Sequence, residues 1–249
     1  MTATSLQAAL SATATDRNGR RIGDWPARVA AHAPAVAAQD DAAHAARLAE
    51  ADAAEMAAMR ARQAANRAIV YTRRRPTRYA AANYDLLTAE QNPAGKIARW
   101  WDAGPRSLVV AGPARTGKTT AAYAIANDVH SRDIWVMAWT AADLSAALKP
   151  DSDEPLAYDY ATTCPLLLLD DLGRERVTDW WLEQLQRIVD ARCANERRLI
   201  VTTNSGGSAD QAYDELVARY GHPIVERLID GGGVLVLDGP AVRQVVTEW

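Results

Sequence analysis

The stretch Gly112-Pro113-Ala114-Arg115-Thr116-Gly117-Lys118-Thr119 decides the fold of this 249-residue chain, because it matches the pattern G-x-x-x-x-G-K-[ST]. It follows the apolar run 108–111 and leads into the helix-forming residues 120–124. A loop between a strand and a helix is the context in which this pattern indicates a phosphate cradle. Glycines let the backbone turn tightly and direct N–H groups at phosphate oxygens, and the N-terminus of the helix adds partial positive charge. The stretch therefore predicts binding of a nucleoside triphosphate.

The predicted nucleotide-binding residues run from the first glycine of this stretch into the helix. They are Gly112, Pro113, Ala114, Arg115, Thr116, Gly117, Lys118, Thr119 and Thr120. Lys118 is expected to reach the terminal phosphates of ATP, and the Thr119 hydroxyl to bind Mg²⁺. Arg115 stands where many such loops have a third glycine, which predicts a stiffer loop that still binds nucleotide. A simple glycine turn between a strand and a helix is the alternative interpretation.

Length and composition limit the classes of protein that remain. The chain is long enough for one full α/β domain and an additional segment. Its formal net charge is −3, so any affinity for nucleic acid has to come from local patches. Cys164 and Cys193 are far apart in sequence and the histidines do not cluster with them, which argues against structural zinc and favours a reducing cytoplasm. Because no apolar run has the length of a membrane span and no signal pattern opens the chain, we expect no membrane partner.

Two segments of unusual composition open the chain. Residues 1–26 are rich in Ser, Thr and Ala, which predicts a disordered tail. Roughly half of residues 27–70 are alanine, which has the highest helix propensity. This region is predicted to be helical and either to fold back as a hairpin or to dock on a partner protein. A surface helix with no role beyond solubility is the alternative.

A basic stretch separates these segments from the main domain. Seven arginines and no acidic residue lie between Arg60 and Arg78, and Pro76 interrupts any helix there. Residues 71–82 are therefore predicted to form a basic linker, which either contacts a phosphate backbone or is solvated. The main domain is expected over residues 83–249.

Strand and helix patterns alternate along the main domain. Strand-like apolar runs occur at 107–111, 134–138, 165–170, 198–203 and 234–238, and helical stretches lie near 118–130, 141–148, 178–195, 209–219 and 223–230. This alternation predicts an α/β fold with a five-stranded parallel sheet and helices on both faces. We expect the strand order 5-1-4-3-2, numbered along the chain.

Two adjacent acids follow the most apolar of these runs. Leu166 to Leu169 predict a fully buried strand, and Asp170 and Asp171 come at its carboxyl end, where α/β sheets bind ligands. Asp170 is expected to hold Mg²⁺ through water, and Asp171 to orient or activate the attacking water. Many related ATPases have glutamate at the second position, so the shorter Asp171 predicts slow hydrolysis. Capping of the next helix is the alternative role for both acids.

Two further candidates follow later strands. Asn204 ends the apolar run 198–203 and is expected to hydrogen-bond the attacking water or the γ-phosphate, although asparagine also suits ordinary turns. Arg227 lies on a predicted short helix that ends at three consecutive glycines, which we interpret as a turn before the last strand. An exposed helical arginine is most often a solvated charge.

With these residues in view, the chain resembles the DnaC/IstB-like AAA+ ATPases, the bacterial and phage replicative helicase loaders. The likeness covers roughly residues 75–242 and depends on the order and spacing of several short motifs. The motifs are PTRY at 76–79, the phosphate loop, TAADL at 140–144, LDDLG at 169–173, TDW at 178–180, TTN at 202–204 and VERL at 225–228.

The resemblance implies roles for residues whose own signal is weak. It makes Asn204 the family's first sensor residue and Arg227 an arginine finger that reaches the γ-phosphate of a neighbouring subunit. The segment 139–149 matches the element that contacts single-stranded DNA, with Lys149 and, more weakly, Thr140 as phosphate contacts. It also implies an AAA+ core without a C-terminal helical lid, self-association through that core, and a replicative helicase bound by the N-terminal region.

Three rival functions are considered beside the helicase loader. A transposition helper ATPase of the IstB type shares the core, and no core residue separates the two. A P-loop small-molecule kinase usually needs an arginine-rich lid and an acceptor pocket, which fit Asn204 and Arg227 poorly. A nucleotide-gated adaptor that barely hydrolyses ATP is suggested by Arg115 and Asp171.

Overall fold

The computed structural model of the chain describes the backbone of residues 25–239 and the side chains from residue 43 onward. The described chain divides into two compact units between Arg62 and Gln63. Our prediction of a disordered tail over residues 1–26 lies outside the described residues, apart from Trp25 and Pro26, which begin a helix.

A single helix, α1, extends over Trp25–Arg74 and is 50 residues long. Its alanine content explains why it is helical throughout, since alanine loses no side-chain entropy in a helix. The region 27–70 is thus one continuous helix and not the hairpin that we considered. Large apolar side chains are few along it, and Leu48, Met56 and Met59 are each about half exposed.

The segment 71–82, which we interpreted as a basic linker, belongs to the second unit and packs against its core. Tyr71, Tyr79 and Ala82 are buried there. The Tyr71 hydroxyl donates to Asn127 Oδ1 at 2.8 Å, and the Tyr79 ring stacks on Tyr123 at 4.8 Å between centroids. The arginines that dominate this segment in the sequence lie between these buried aromatic residues, and this explains why composition alone indicated a solvated stretch.

The second unit alternates strands and helices. Its strands are β1 (Ser107–Ala111), β2 (Val136–Thr140), β3 (Leu166–Leu172), β4 (Arg198–Thr203) and β5 (Gly232–Val236). Its helices are α2 (Lys96–Ala103), α3 (Lys118–Ser131), α4 (Ala141–Ala147), α5 (Ala157–Thr163), α6 (Asp179–Ala194), α7 (Ala209–Tyr220) and α8 (His222–Ile229). Short 3₁₀ turns at Thr77–Tyr79, Tyr84–Leu86 and Pro93–Gly95 connect α1 to α2.

The five strands form one parallel sheet in the order β2-β3-β4-β1-β5. This is the predicted fold class and strand order. Because all strands are parallel, their carboxyl ends meet at one edge of the sheet, which we call the phosphate edge. The opposite edge, where the strands begin, is called the starting edge. Of the helices that the structure describes, none has both the length and the apolar character of a membrane span.

Alternate side chains of the strands supply two cores, one on each face of the sheet. Val109, Leu167 and Val201 belong to the core under α4 to α8, whereas Leu108 and Leu168 belong to the core under α2 and α3. Burial on both faces is what the near-continuous apolar strands predict. The sheet is therefore a rigid support for the loops at both of its edges.

The structure shifts some of the predicted boundaries. β2 begins two residues after its predicted start, because Ile134 and Trp135 pack on the core without joining the ladder. Gly232 and Gly233, which we interpreted as part of a turn, belong to β5, and a Cβ on Gly232 would lie 2.2 Å from Ser107 Oγ. These glycines permit close approach of two strands. Helices α2 and α5 were not predicted.

Candidate functional site

The predicted phosphate loop connects β1 to α3 at the phosphate edge. Its first and last glycines, Gly112 and Gly117, have φ angles of 140° and 92°, which disfavour any residue with a side chain. Gly117 directly precedes α3, so the backbone turns into the helix at the point where N–H groups are free to bind an anion. The predicted binding residues Gly112 to Thr120 thus lie in one continuous loop and helix start.

Lys118 is buried inside this loop, and its ammonium group donates to the Pro113 carbonyl at 2.6 Å. Burial lowers the pKa of Lys118, while the nearby charges of Asp171 and Asp170 oppose that shift. The direct hydrogen bond of Lys118 thus goes to a neutral carbonyl, while the two carboxylates act on its charge without a described direct contact. A phosphate group in the cradle would complete its environment.

Asp170 is buried at the end of β3 and accepts two hydroxyl groups. Thr202 Oγ1 donates to Asp170 Oδ1 at 2.6 Å and Thr119 Oγ1 donates to the same oxygen at 3.0 Å. Burial raises the pKa of Asp170, and the charge of Asp171 adds to that effect, whereas the two hydroxyls oppose it. The Thr119 hydroxyl and the Asp170 carboxylate lie side by side, and oxygen atoms of this kind are suitable ligands for Mg²⁺. The residues present therefore fit this ion.

Asp171 has a left-handed backbone, with φ of 57°, at an irregularity in the pairing of β3 with β4. Its N–H donates to Thr202 Oγ1 at 2.9 Å, so this threonine bonds to both predicted acids. The Asp171 carboxylate is partly exposed and lies 3.8 Å from the guanidinium of Arg174. The carboxylate therefore faces the solvent at the edge that carries the phosphate loop.

Arg115 also has a left-handed backbone, with φ of 71°. This explains why glycine suits the position, since a left-handed conformation costs other residues about 1–2 kcal/mol. The side chain itself is exposed. Arg115 in place of glycine therefore strains the backbone of the loop, but its exposed side chain does not block the cradle.

Two neighbours of the loop fix its ends. The buried Gln91 donates from Nε2 to the Thr116 carbonyl at 3.4 Å, and a Cβ on Gly117 would lie 1.7 Å from that nitrogen. At the other end, Gly112 donates to the Ser205 carbonyl at 3.1 Å, and a Cβ there would lie 2.2 Å from the Leu237 carbonyl oxygen. Both glycines therefore serve close packing as well as a tight turn.

Asn204 directly follows β4, the strand beside β1, and is exposed. It lines a cavity of about 520 Å³ together with Gly173 and Arg219. The structure thus brings Asn204 to the same edge as the phosphate loop and the two acids.

Arg227 is not part of that group. It lies on α8, and the guanidinium of Arg106, just before β1, donates to the Arg227 carbonyl at 2.9 Å. Since β1 is five residues long, roughly 15 Å separate this starting edge from the phosphate edge. The Arg227 side chain is about half exposed and pairs with Asp190 at 3.2 Å and Asp230 at 3.7 Å.

The two predicted DNA contacts differ in their surroundings. Thr140 caps α4, because its hydroxyl accepts the Asp143 N–H at 3.0 Å, and it is paired in register with Asp170. Lys149 is exposed in the turn that follows α4. The Thr140 hydroxyl is thus held in place as an acceptor and can still donate to a phosphate, whereas Lys149 offers an exposed ammonium group.

Sequence reasoning missed Thr202 and Gln91 as parts of the site. The presence of Thr202 in an otherwise apolar run is a weak indication of a role in the site. A buried hydroxyl needs a hydrogen-bond partner, and that partner can be a functional residue. Gln91 carried no signal, since its contact with the loop is known only from the tertiary structure.

No protein-family model matches the chain. The replicative helicase loader DnaC of Escherichia coli strain K12 is 27% identical over 143 residues, which cover 55% of this chain and 56% of that protein. DnaC of Shigella flexneri gives the same values. The chain therefore spans about half the length of the curated relatives it matches.

Two solved structures share the fold. The crystal structure of the DnaC helicase loader has a TM-score of 0.57 at 26% identity and covers 66% of this chain and 100% of that one. The crystal structure of DnaI has a TM-score of 0.56 at 20% identity and covers 68% and 94%, respectively. Together with the parallel sheet, its strand order and the loop after β1, these likenesses support the resemblance of the chain to the DnaC-like AAA+ ATPases.

Proposed function

We propose that this protein is an ATP-dependent helicase loader that acts in the initiation of DNA replication, with ATP hydrolysed between subunits. The observation that carries the proposal is the burial of two opposite charges at the phosphate edge without a direct ion pair. Among the described contacts, the Lys118 ammonium donates to a neutral carbonyl and the Asp170 carboxylate accepts from two neutral hydroxyls. A nucleoside triphosphate with Mg²⁺ would add an anion beside Lys118 and a cation beside Asp170, and the loop glycines leave room for its phosphates.

At the phosphate edge each residue has a separate role. Within the loop 112–120, the N–H groups of residues 114–120 and the Lys118 ammonium would hold the phosphates, while Thr119 and Asp170 would hold Mg²⁺, which would neutralise charge on the phosphate oxygens. Asp171 orients the attacking water, because its carboxylate is partly exposed beside Lys118. Asn204 hydrogen-bonds that water or the γ-phosphate. The short side chain of Asp171 and the strained Arg115 predict slow turnover.

Arg227 acts on the nucleotide of a neighbouring subunit. Its own phosphate loop lies at the opposite edge of the sheet, and the partners of the exposed Arg227 side chain in the described part of the chain are two surface carboxylates. Such pairs are weak, so exchange for a phosphate group costs little. Hydrolysis then depends on self-association of the AAA+ core.

The alanine-rich helix is the proposed contact with the replicative helicase. Leu48, Met56 and Met59 share one helical face and are exposed, which is unusual for large apolar side chains on an otherwise polar or small surface. Single-stranded DNA is proposed to bind through Lys149, with Thr140 beside it, and the arginines between residues 60 and 78 add positive charge. Hydrolysis would release the loader from the helicase.

Co-purification with the replicative helicase of the same host, with and without ATP, tests the proposal. We expect capture of the helicase by the full chain, and ATPase activity that rises with single-stranded DNA. The double variant Met56→Gln/Met59→Gln should weaken capture, whereas Ala57→Gln/Ala61→Gln, on the opposite face, should not.

Three results would contradict the proposal. Capture of a transposase in place of the helicase would favour the transposition helper. Phosphate transfer to a nucleoside without a response to DNA would indicate a kinase. Helicase capture that needs ATP but shows no measurable hydrolysis would favour the adaptor.

A further inference from the structure

Glu175 is a buried carboxylate that none of the roles above uses. It is 5% exposed and lies in the loop between β3 and α6. Its Oε2 accepts the Gly173 N–H at 2.9 Å, and its Oε1 accepts the Trp181 indole N–H at 3.2 Å. The Tyr220 hydroxyl donates to the same Oε1. Three separate parts of the chain therefore converge on one side chain.

One of these parts carries Asp171. Gly173 is two residues further on and has a φ of 110°, while Asp171 has a φ of 57°. Both residues leave the regular strand geometry, and the pairing of β3 with β4 shifts register between Leu169 and Leu172. The hydrogen bond from the Gly173 N–H to Glu175 holds the backbone two residues after Asp171, and the backbone there sets the orientation of the Asp171 carboxylate.

Another part carries the helix of Arg227. Tyr220 is the last residue of α7, and Gly221 alone separates it from α8. Arg227 follows Tyr220 by about two helical turns. At the far end of α8, Arg106 and Ser107 donate to the carbonyls of Arg227 and Leu228. The bond between Tyr220 and Glu175 therefore fixes the near end of the same helix.

Packing alone would not require a carboxylate at position 175. Burial of a carboxylate is costly unless hydrogen bonds compensate it, and an apolar side chain would fill the same space beside the Trp181 ring. The main chain of Glu175 is held as well, because Arg219 donates to its carbonyl at 2.9 Å. Directional bonds to three elements specify positions, which apolar contacts do not.

We propose that Glu175 is a positioning residue that sets Asp171 for the protomer's own nucleotide and Arg227 for the nucleotide of its neighbour. This inference deepens the proposed function and rests on it, since it assumes ATP hydrolysis with an arginine finger in trans.

Mixing of full-length variants tests the action on the neighbour. Arg227→Ala retains its phosphate edge but offers no finger, whereas Asp171→Ala offers a finger beside an inactive site. Mixed together, they should recover ATPase turnover. The double variant Asp171→Ala/Tyr220→Phe then replaces Asp171→Ala as the donor of the finger. It lacks the Tyr220 hydroxyl but keeps the ring, and the recovered ATPase turnover should be about tenfold lower. Asp171→Ala/Tyr84→Phe is the matched control, because Tyr84 donates to Asp128 elsewhere in the unit, and should recover fully.

The action on Asp171 is tested in single variants. Glu175→Ala should lower turnover about tenfold or more with ATP affinity within about twofold, since Glu175 does not touch the phosphate loop. Glu175→Gln should restore part of the turnover, because its amide retains one acceptor.

Two results would overturn the proposal. One is full recovery with the Tyr220→Phe donor together with unchanged turnover in Glu175→Ala. The other is a parallel loss of ATP affinity and turnover in Glu175→Ala, which indicates support of the fold alone. Failure of the simple Arg227→Ala and Asp171→Ala mixture counts against the finger in trans, and the single variants then decide the part of the proposal that concerns Asp171.

Discussion

The two edges of the sheet hold their charged groups in opposite ways. At the phosphate edge, Lys118 and Asp170 are buried and bonded to neighbouring groups of the core. At the starting edge, Arg227 is about half exposed and pairs with two surface carboxylates. A buried network has one arrangement, whereas a surface ion pair exchanges partners readily.

This difference matches the division of labour in the proposed mechanism. The phosphate edge binds nucleotide within one protomer, so preorganisation there is an advantage. Arg227 has to leave Asp190 whenever it reaches a neighbour, so a tight hold would work against it. The comparison predicts that changes at the starting edge affect turnover alone, whereas changes at the phosphate edge affect nucleotide binding and stability.

Replacement of Arg227 by alanine is expected to have the largest effect. Turnover of the assembled protein should fall about a thousandfold with ATP affinity unchanged, because arginine fingers act on the transition state. Steady-state ATPase assays and nucleotide titration measure the two quantities. Arg132→Ala, which removes another exposed and ion-paired arginine, is the control. Equal turnover in Arg227→Ala and the unsubstituted protein would remove the basis for the comparison.

Replacement of Lys118 by alanine should affect binding. Loss of a charge-assisted hydrogen bond of about 1.5–3 kcal/mol lowers ATP affinity roughly 10- to 100-fold. Titration with a fluorescent ATP analogue measures this loss, with the exposed Lys96→Ala as the control. Unchanged affinity would show that the buried ammonium group does not face the phosphates.

Replacement of Asp170 by asparagine should separate stability from function. The pKa of Asp170 is raised in the folded chain, so the folded state favours the protonated form and loses stability as the pH rises above the usual value of 3.8. The amide of the substituted side chain carries no such charge. Without Mg²⁺, Asp170→Asn should therefore unfold at a higher temperature at neutral pH, with the difference shrinking towards about pH 4, while Mg²⁺-dependent turnover is lost. Thermal unfolding of Asp170→Asn and of the unsubstituted protein across this pH range measures the difference. An unfolding temperature of the variant below that of the unsubstituted protein at neutral pH would contradict the buried-charge argument.

The smallest effect is expected at Arg115. Glycine relieves the left-handed backbone, whereas alanine retains it, so Arg115→Gly should be more stable than Arg115→Ala by about 1 kcal/mol. Denaturant unfolding of the two variants compares them directly. Equal stabilities would show that the loop relaxes to avoid the strain.

Much of the sheet was predictable from the sequence because its strands are short apolar runs. The run Leu166 to Leu169 predicted β3, and the alternation of runs with helical stretches predicted a parallel sheet; the strand order, which the structure also confirms, is the one that an AAA+ core implies. Local pattern also placed Lys118 and the two aspartates at one edge, because the carboxyl ends of parallel strands meet there.

The rest depends on contacts between residues that are far apart in sequence. Gln91 reaches the phosphate loop from 25 residues away, and Glu175 meets Tyr220 across 45 residues. Tyr71 is buried by a helix that begins well beyond it, so the arginines around it gave a misleading signal. Such side chains have no periodic pattern of their own, and only the assembled fold shows what they touch.

The close contact between Gly112 and Leu237 has a practical consequence. Leu237 follows the last strand, its N–H donates to the Ala111 carbonyl at 2.9 Å, and its own carbonyl closes on the glycine that opens the phosphate loop. The residue that follows β5 thus packs against the start of the phosphate loop. A protease that cut the chain just before Leu237 would disable nucleotide binding while leaving the loop sequence intact, so nucleotide should protect this site from cleavage.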